Sequence, residues 1–320
     1  MLFNPAFGDD IYHNHPAGMW MFNYKYMHMG MDGLRDGTSD VATGSVGNGR
    51  GLPYDNYMMI PTSMTMDMHM LMAMYGINDK LTVMGMASYV DTEMNMLMDM
   101  GRRKDPNTRK TDVPMETSGL GDLELRGIYK FNANLNTSLG LSLPTGKIDE
   151  DYVTMKTTWR APYDMQLGSG TFDLKPALTT SFLSDDALWN WGGQAMATIH
   201  LGTNDNGYSL GDSLKLNTWL QRALGPAVIW MRASYSTTAS IDRYDPAIQR
   251  SLDGAMMSPS MPGANPDNYG GQTIDAFIGI SVAVGSCSIG IEGGIPLYQN
   301  LNGLQMKSDW LLTAGIQYMF

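Results

Sequence analysis

The sequence predicts an all-β fold: a transmembrane, antiparallel, up-and-down β-barrel of about twelve strands, with short periplasmic turns and longer external loops. Three observations point to it. Residues alternate with a period of two over many segments, most visibly in the methionines of 64–100. That period belongs to strands, since a helix would scatter the same residues around its circumference. Connections between the segments alternate between short and long, as in a barrel whose two rims face different compartments. No eighteen apolar residues run together and mean hydropathy is -0.21. This excludes a transmembrane helix and suits strands in which every second residue is polar.

In chain order, a polar lead (1–16) precedes a barrel at 17–320, with methionine-rich strands in 17–100 and the remaining strands in 119–320. The first strand, near 18–31, has two clean faces. Trp20, Phe22, Tyr24 and Tyr26 form one; Met19, Met21, Asn23, Lys25, Met27, Met29 and Met31 form the other. Aromatics suit lipid and its interfaces, whereas Lys25 and Asn23 suit an interior, so the methionines are expected to face the lumen. The next hairpin repeats the pattern with Met64, Met66, Met68, Met70, Met72 and Met74, then Met84, Met86, Met94, Met96, Met98 and Met100. Leu71, Ala73, Tyr75, Val83, Ala87 and Tyr89 lie opposite, with Asp67, His69, Asp91, Glu93 and Asn95 further along, so this hairpin is expected to extend past the bilayer.

Alternation and turn residues place further strands near 119–131, 137–145, 170–184, 187–202, 210–224, 226–238, 272–284, 286–298 and 306–320. The short connections are 76–79, 132–136, 184–187, 224–226 and 285; the longer ones are 32–56, 101–118, 146–168, 204–207, 240–271 and 299–304. The loop at 240–271, with Met256, Met257 and Met261 among prolines, is expected to cover the mouth or remain mobile. In the last strand Trp310, Leu312, Ala314, Ile316, Tyr318 and Phe320 alternate to a terminal aromatic. A strand of this kind resembles the signal read by the barrel-assembly machinery, which is an expected partner, as is the lipid bilayer.

Four stretches carry a family resemblance. They are Gly119-Leu120-Gly121-Asp122-Leu123-Glu124-Leu125, Leu141-Ser142-Leu143-Pro144-Thr145-Gly146, Met165-Gln166-Leu167-Gly168-Ser169-Gly170-Thr171, and Ile295-Pro296-Leu297-Tyr298-Gln299-Asn300-Leu301-Asn302-Gly303. In this order they resemble the outer-membrane transporters of the meta-pathway of phenol degradation, over about 57–320. The resemblance implies an outer-membrane barrel with a transport role; the substrate has to be argued from the site. No signal peptide is visible at residue 1, so residence in the outer membrane of a Gram-negative bacterium implies one removed before this numbering begins.

Twenty of the 30 methionines precede residue 101. Thioethers are neutral, soft donors that favour Cu(I) over hard ions and need no deprotonation. Three adjacent columns are expected to form a ladder of sulfur sites able to bind or pass copper, and a periplasmic metal carrier would then be a partner. His13 and His15 are expected to take Cu(II), for which imidazole is a suitable donor. His28 and His69 have the opposite parity and point outward. Two alternatives stand beside the metal reading. In one, methionine is adaptable apolar lining for a passive channel carrying small hydrophobic or aromatic compounds. In the other, it serves a structural barrel as a sacrificial surface for oxidants. Against plain filler, leucine and valine are expected to be missing from the methionine positions.

The rest of the lumen is expected to carry Asp122, Glu124, Arg126, Lys130, Asp173, Lys175, Lys215, Arg232, Asp275 and Glu292. Their mixed signs suggest ion pairs filling a narrow interior rather than a single-sign selectivity ring. The net charge of -11 argues against nucleic acid, and the lone Cys287 excludes an internal disulfide. There is no Gly-rich phosphate loop, nucleophile elbow or zinc-protease motif, so no catalytic residues and no enzyme activity are expected. The acidic runs at 149–151 and 185–186 read as solvated turns. Apart from copper, no cofactor is expected.

Overall fold

The structure is a computed structural model that describes residues 13–47, 53–54, 56–99, 110–154, 156–250 and 260–320. Its strands are β1 (Trp20–Gly37), β2 (Ser39–Val41), β3 (Met59–Asn78), β4 (Leu81–Asp99), β5 (Lys110–Leu120), β6 (Leu123–Lys130), β7 (Leu135–Leu143), β8 (Asp151–Thr154) and β9 (Thr157–Arg160). They continue with β10 (Phe172–Leu183), β11 (Trp189–Leu201), β12 (Ser213–Leu224), β13 (Ala227–Thr238), β14 (Gly271–Val284) and β15 (Cys287–Met319). Among the described residues, eleven strands close into an antiparallel barrel, with β15 pairing back onto β1. The 33-residue β15 pairs with β14 through its first half and with β1 through its second. It therefore spans the wall twice, and the chain makes the twelve crossings expected.

Short turns gather at one rim. Asn78 accepts hydrogen bonds from the amides of Lys80 and Leu81 (both 2.9 Å), and Asn132 accepts one from Asn134. These side chains mimic a backbone turn, which is why Asn recurs there. The start of β1 and the end of β15 meet at the same rim: Trp20 N donates to Phe320 O (2.9 Å) and Phe320 N to Trp20 O (3.1 Å).

The outer surface carries the apolar residues that lipid requires. Leu71, Leu125, Leu139, Ile278, Val282, Ile289, Ile291 and Ile316 are exposed, with Trp20, Phe22, Tyr129, Phe131 and Phe320 grouped toward the short-turn rim. An aliphatic band edged by aromatics is the signature of a barrel seated in a bilayer.

At the other rim three expected loops prove to contain strands of the main sheet. Residues 101–118 include β5, which extends the wall along β4 from Tyr89–Leu120 to Asp99–Lys110. Here Met115 and Thr117 are buried while Asp112 and Glu116 are exposed. Beyond the bilayer the outward face meets water, so the apolar–polar contrast that marks a strand is lost from the sequence. Within 32–56, β1 runs on to Gly37 and folds back onto β2. Residues 299–304 stay within β15, which turns at Gly303 (φ +67°).

The long connections fold inward. In 146–168 the β8–β9 hairpin is followed by a turn that buries Tyr163 and Met165. In 240–271 the short helix α1 (Pro246–Gln249) buries Ile248, and Met261 and Ala264 are also buried. These groups pack with Met64, Met94, Met96, Met98 and Met115 to close the far end of the barrel. Of the two behaviours expected for 240–271, covering the mouth is the one seen at 260–271; Met256 and Met257 lie outside the described residues.

Candidate functional site

Antiparallel register places the methionines in rows across β1, β3 and β4. Starting at the short-turn rim, Met319, Met21, Met74 and Met84 form one row. Above it come Asn23 with Met72 and Met86, then Lys25 with Met70 and Ser88, then Met27 with Met68 and Val90. Next are Met29 with Met66 and Thr92, and finally Met31 with Met64, Met94 and Met115. Directly paired residues in such a ladder sit about 5 Å apart. Met59 and Met96 through Met98 continue the wall to the closed end.

All the expected methionines that are described share the inner face. Met21, Met64, Met72, Met74, Met84, Met94, Met96 and Met98 are buried; Met19, Met27, Met29, Met31, Met66, Met68, Met70 and Met86 are partly buried. Met100 lies outside the described residues. The expected lack of leucine and valine does not hold. Val90 occupies a column position and Leu311 pairs beside Met29.

The opposite wall is charged. Arg126 donates to Glu124 (2.8 Å) and to Ser138 (2.8 Å), and Lys175 reaches the other Glu124 oxygen (3.0 Å). A Cβ on Gly140, opposite Arg126, would lie 2.7 Å from its guanidinium, so glycine makes room for the ion pair. Asp173 meets His200 at 2.8 Å. Arg232 and Glu292, both nearly inaccessible, pair at 2.5 Å, and Trp230 Nε1 donates to the same carboxylate at 2.6 Å. Lys215 and Asp275 are partly buried on this inner face. Asp122, at the break between β5 and β6, accepts from Gly146 N, Ser169 N and Ser169 Oγ, and so ties three segments together. Lys130 is the exception: it is exposed at the short-turn rim, because its strand ends there and the side chain reaches water.

Between the two walls lies a cavity of about 560 Å³. Met29, Met31, Met64, Met66, Met68 and Met86 line one side, and Asp122, Glu124, Asp173, Lys175 and His200 the other. Tyr163, Asp164 and Tyr269 roof it. Strand alternation did not single out these roof residues, since they sit in connections whose inward folding has no period. His200, Met196, Met306 and Met319 were also missed. Met319 does carry the signal, since it alternates inward with Gln317 in the terminal strand.

Asp164 Oδ1 is buried with no hydrogen-bond partner among the described residues, and burial pushes its carboxyl up to about 6. The folded state therefore holds this proton more tightly than the unfolded chain, whose aspartates titrate near 3.8. Its penalty is full above pH 6 and is relieved as pH falls from 6 toward 4. The roof is expected to exchange amide hydrogens more slowly at pH 5 than at pH 7 after correction for intrinsic rates, and Asp164→Asn is expected to remove that difference.

At the short-turn rim the polar lead lies across the opening. His15 is 3% exposed, its amide donates to Thr82 Oγ1 (2.8 Å), and the His13 ring lies 4.7 Å away edge-on. Burial, with His13 second, lowers the His15 imidazole to about 3, so the ring is neutral at physiological pH. His28 and His69 face outward as expected; His28 Nδ1 meets Asp67 at 2.7 Å and Tyr24 bonds His69 at 2.8 Å.

No family model and no curated protein matches the chain. Among solved structures, an outer membrane channel from Pseudomonas putida F1 is similar at 13% identity, covering 98% of this chain and 99% of that one with a TM-score of 0.63. The deltaS2 mutant of the TodX monoaromatic hydrocarbon channel is similar at 10% identity, covering 95% and 90% with a TM-score of 0.50. At these identities the likeness is one of fold. The closed barrel with its lipid-facing band has the fold of the outer-membrane barrels of Gram-negative bacteria.

Proposed function

We propose that this outer-membrane barrel binds and passes soft metal ions, with Cu(I) as its substrate, along the methionine wall of its lumen. The sorting of methionine by face carries the reading. Both faces of these strands need apolar side chains, yet among the described residues the exposed large hydrophobics include a single methionine, Met231. Leucine, isoleucine, valine and aromatics fill the lipid face, and sulfur is kept for the lumen. Thioethers select Cu(I) and bind it without losing a proton. The opposite wall consists of paired charges of both signs, so discrimination between ions falls to the sulfurs. A periplasmic carrier of matching softness would take the ion at the short-turn rim, and the barrel-assembly machinery would read the terminal strand. The barrel is a conduit, not an enzyme.

The packing favours a second reading. Met21, Met74 and Met84 sit in one tight cluster and Met64, Met94, Met96 and Met115 in another, all with little exposure. There methionine would be deformable lining for a passive channel carrying small hydrophobic or aromatic compounds. Titrating the refolded barrel with Cu(I) against a competing chelator separates the two. The metal reading expects at least one tightly held ion per barrel. Less than one, with toluene retained instead, would leave the second reading standing.

A further inference from the structure

The lead and the first methionine row meet at the short-turn rim. His15 is buried, and its Nε2 has no hydrogen-bond partner among the described residues. The lead around it is fixed at four points. His15 N donates to Thr82 Oγ1 (2.8 Å), Asn14 Nδ2 to Ile128 O (2.9 Å), Ala17 N to Asp79 Oδ1 (3.2 Å) and Gly18 N to Gly76 O (2.8 Å). Gly76 allows this close approach. A Cβ there would fall 2.1 Å from Pro16 O and 2.8 Å from His15 O, both backbone atoms.

Register defines the rows that lie next to the lead. Gly76 pairs with Thr82, and the Gly76 amide donates to Met19 O, so Met19, Gly76 and Thr82 form one row beneath the lead. One step up the same inner face, about 7 Å along the strands, is the row of Met21, Met74, Met84 and Met319. A buried polar nitrogen without a partner is costly, and a bound ion is one of the ways such a group is completed. The ligand suited to a rim that offers both imidazole and thioether donors is a copper ion.

We infer that His15, with His13 beside it and the rim methionines above, forms a mixed nitrogen–sulfur copper site at the periplasmic mouth, through which ions pass between the methionine wall and the periplasm. The inference deepens the copper reading by giving the wall a terminus with different chemistry. It rests on that reading for the route the ion takes.

The test uses the refolded full chain loaded with one equivalent of Cu(I) under a competing chelator, read by affinity and by X-ray absorption. The spectrum is expected to contain both nitrogen and sulfur neighbours. His15→Phe is expected to remove the nitrogen contribution and weaken the first equivalent more than about tenfold. Gly76→Ala, which displaces the lead while keeping both histidines in the chain, is expected to do the same. If His15→Phe fails to fold, His15→Gln provides the comparison. A sulfur-only spectrum in the wild type, or an unchanged first equivalent in the folded variants, overturns the site even if the wall binds copper. A wall variant with leucine at Met29, Met64, Met66 and Met68 that keeps the first equivalent and its nitrogen signal supports the mouth site even if the wall reading fails.

Discussion

Replacing Met29, Met64, Met66 and Met68 together by leucine is expected to cost the barrel the copper held in its cavity, while its fold persists. These four line the cavity, and Met29 and Met66 are direct cross-strand neighbours. Methionine-to-leucine changes conserve volume and usually cost less than about 1.5 kcal/mol each. The refolded variant should keep its heat-modifiable mobility on gels and its β-sheet circular dichroism. Cavity affinity for Cu(I) is expected to fall more than about a hundredfold, roughly 2.7 kcal/mol, because hydrocarbon offers no lone pair. Toluene binding should barely change. Unaltered copper binding would show that the sulfurs serve only as packing.

The second large effect concerns the buried pair on the far wall. Glu292→Ala leaves Arg232 with its cation buried and its 2.5 Å partner gone. Removing one member of such a pair typically costs about 3–5 kcal/mol. Asn217 (3.1 Å) and the face of Phe277 (3.7 Å) still contact the guanidinium without charge, and the Asp275 carboxylate that also faces it offsets only part of the loss. The urea midpoint of the refolded barrel is expected to drop sharply. The double variant Arg232→Met/Glu292→Met is expected to recover most of the loss, since both charges leave together. If Glu292→Ala unfolds at the wild-type midpoint, the pair contributes nothing to holding the lumen closed.

How far the sequence reveals this molecule follows from where water lies. Inside the bilayer, lipid enforces one apolar face, so the parity of Trp20, Phe22 and Tyr24 against Met21, Asn23 and Lys25 is enough to settle the orientation of β1. Above the bilayer both faces of β5 tolerate polar groups, and Pro114 with flanking charges made a paired strand look like a loop. Bulges are a second limit. Register shifts follow Gly30 and Met31, where Gly33 has φ +75°, and they turn Leu34 and Met306 inward against the parity of their neighbours. An inward-folding loop is a third. Asp164 and Tyr269 occupy segments without periodicity, and their approach to the cavity depends on tertiary closure. Lys130 kept the correct parity but ran out of barrel.

The unbroken run of β15 bears on how the cylinder can form. Among the described residues its far half supplies the only partner that β1 has on that flank, so ring closure awaits residues 301–319. A product cut short before Leu301 would present two unsatisfied ribbon edges at once, on β1 and on the stump left beside β14. Such edges recruit other chains, so incomplete copies are expected to clump rather than persist as narrower cylinders.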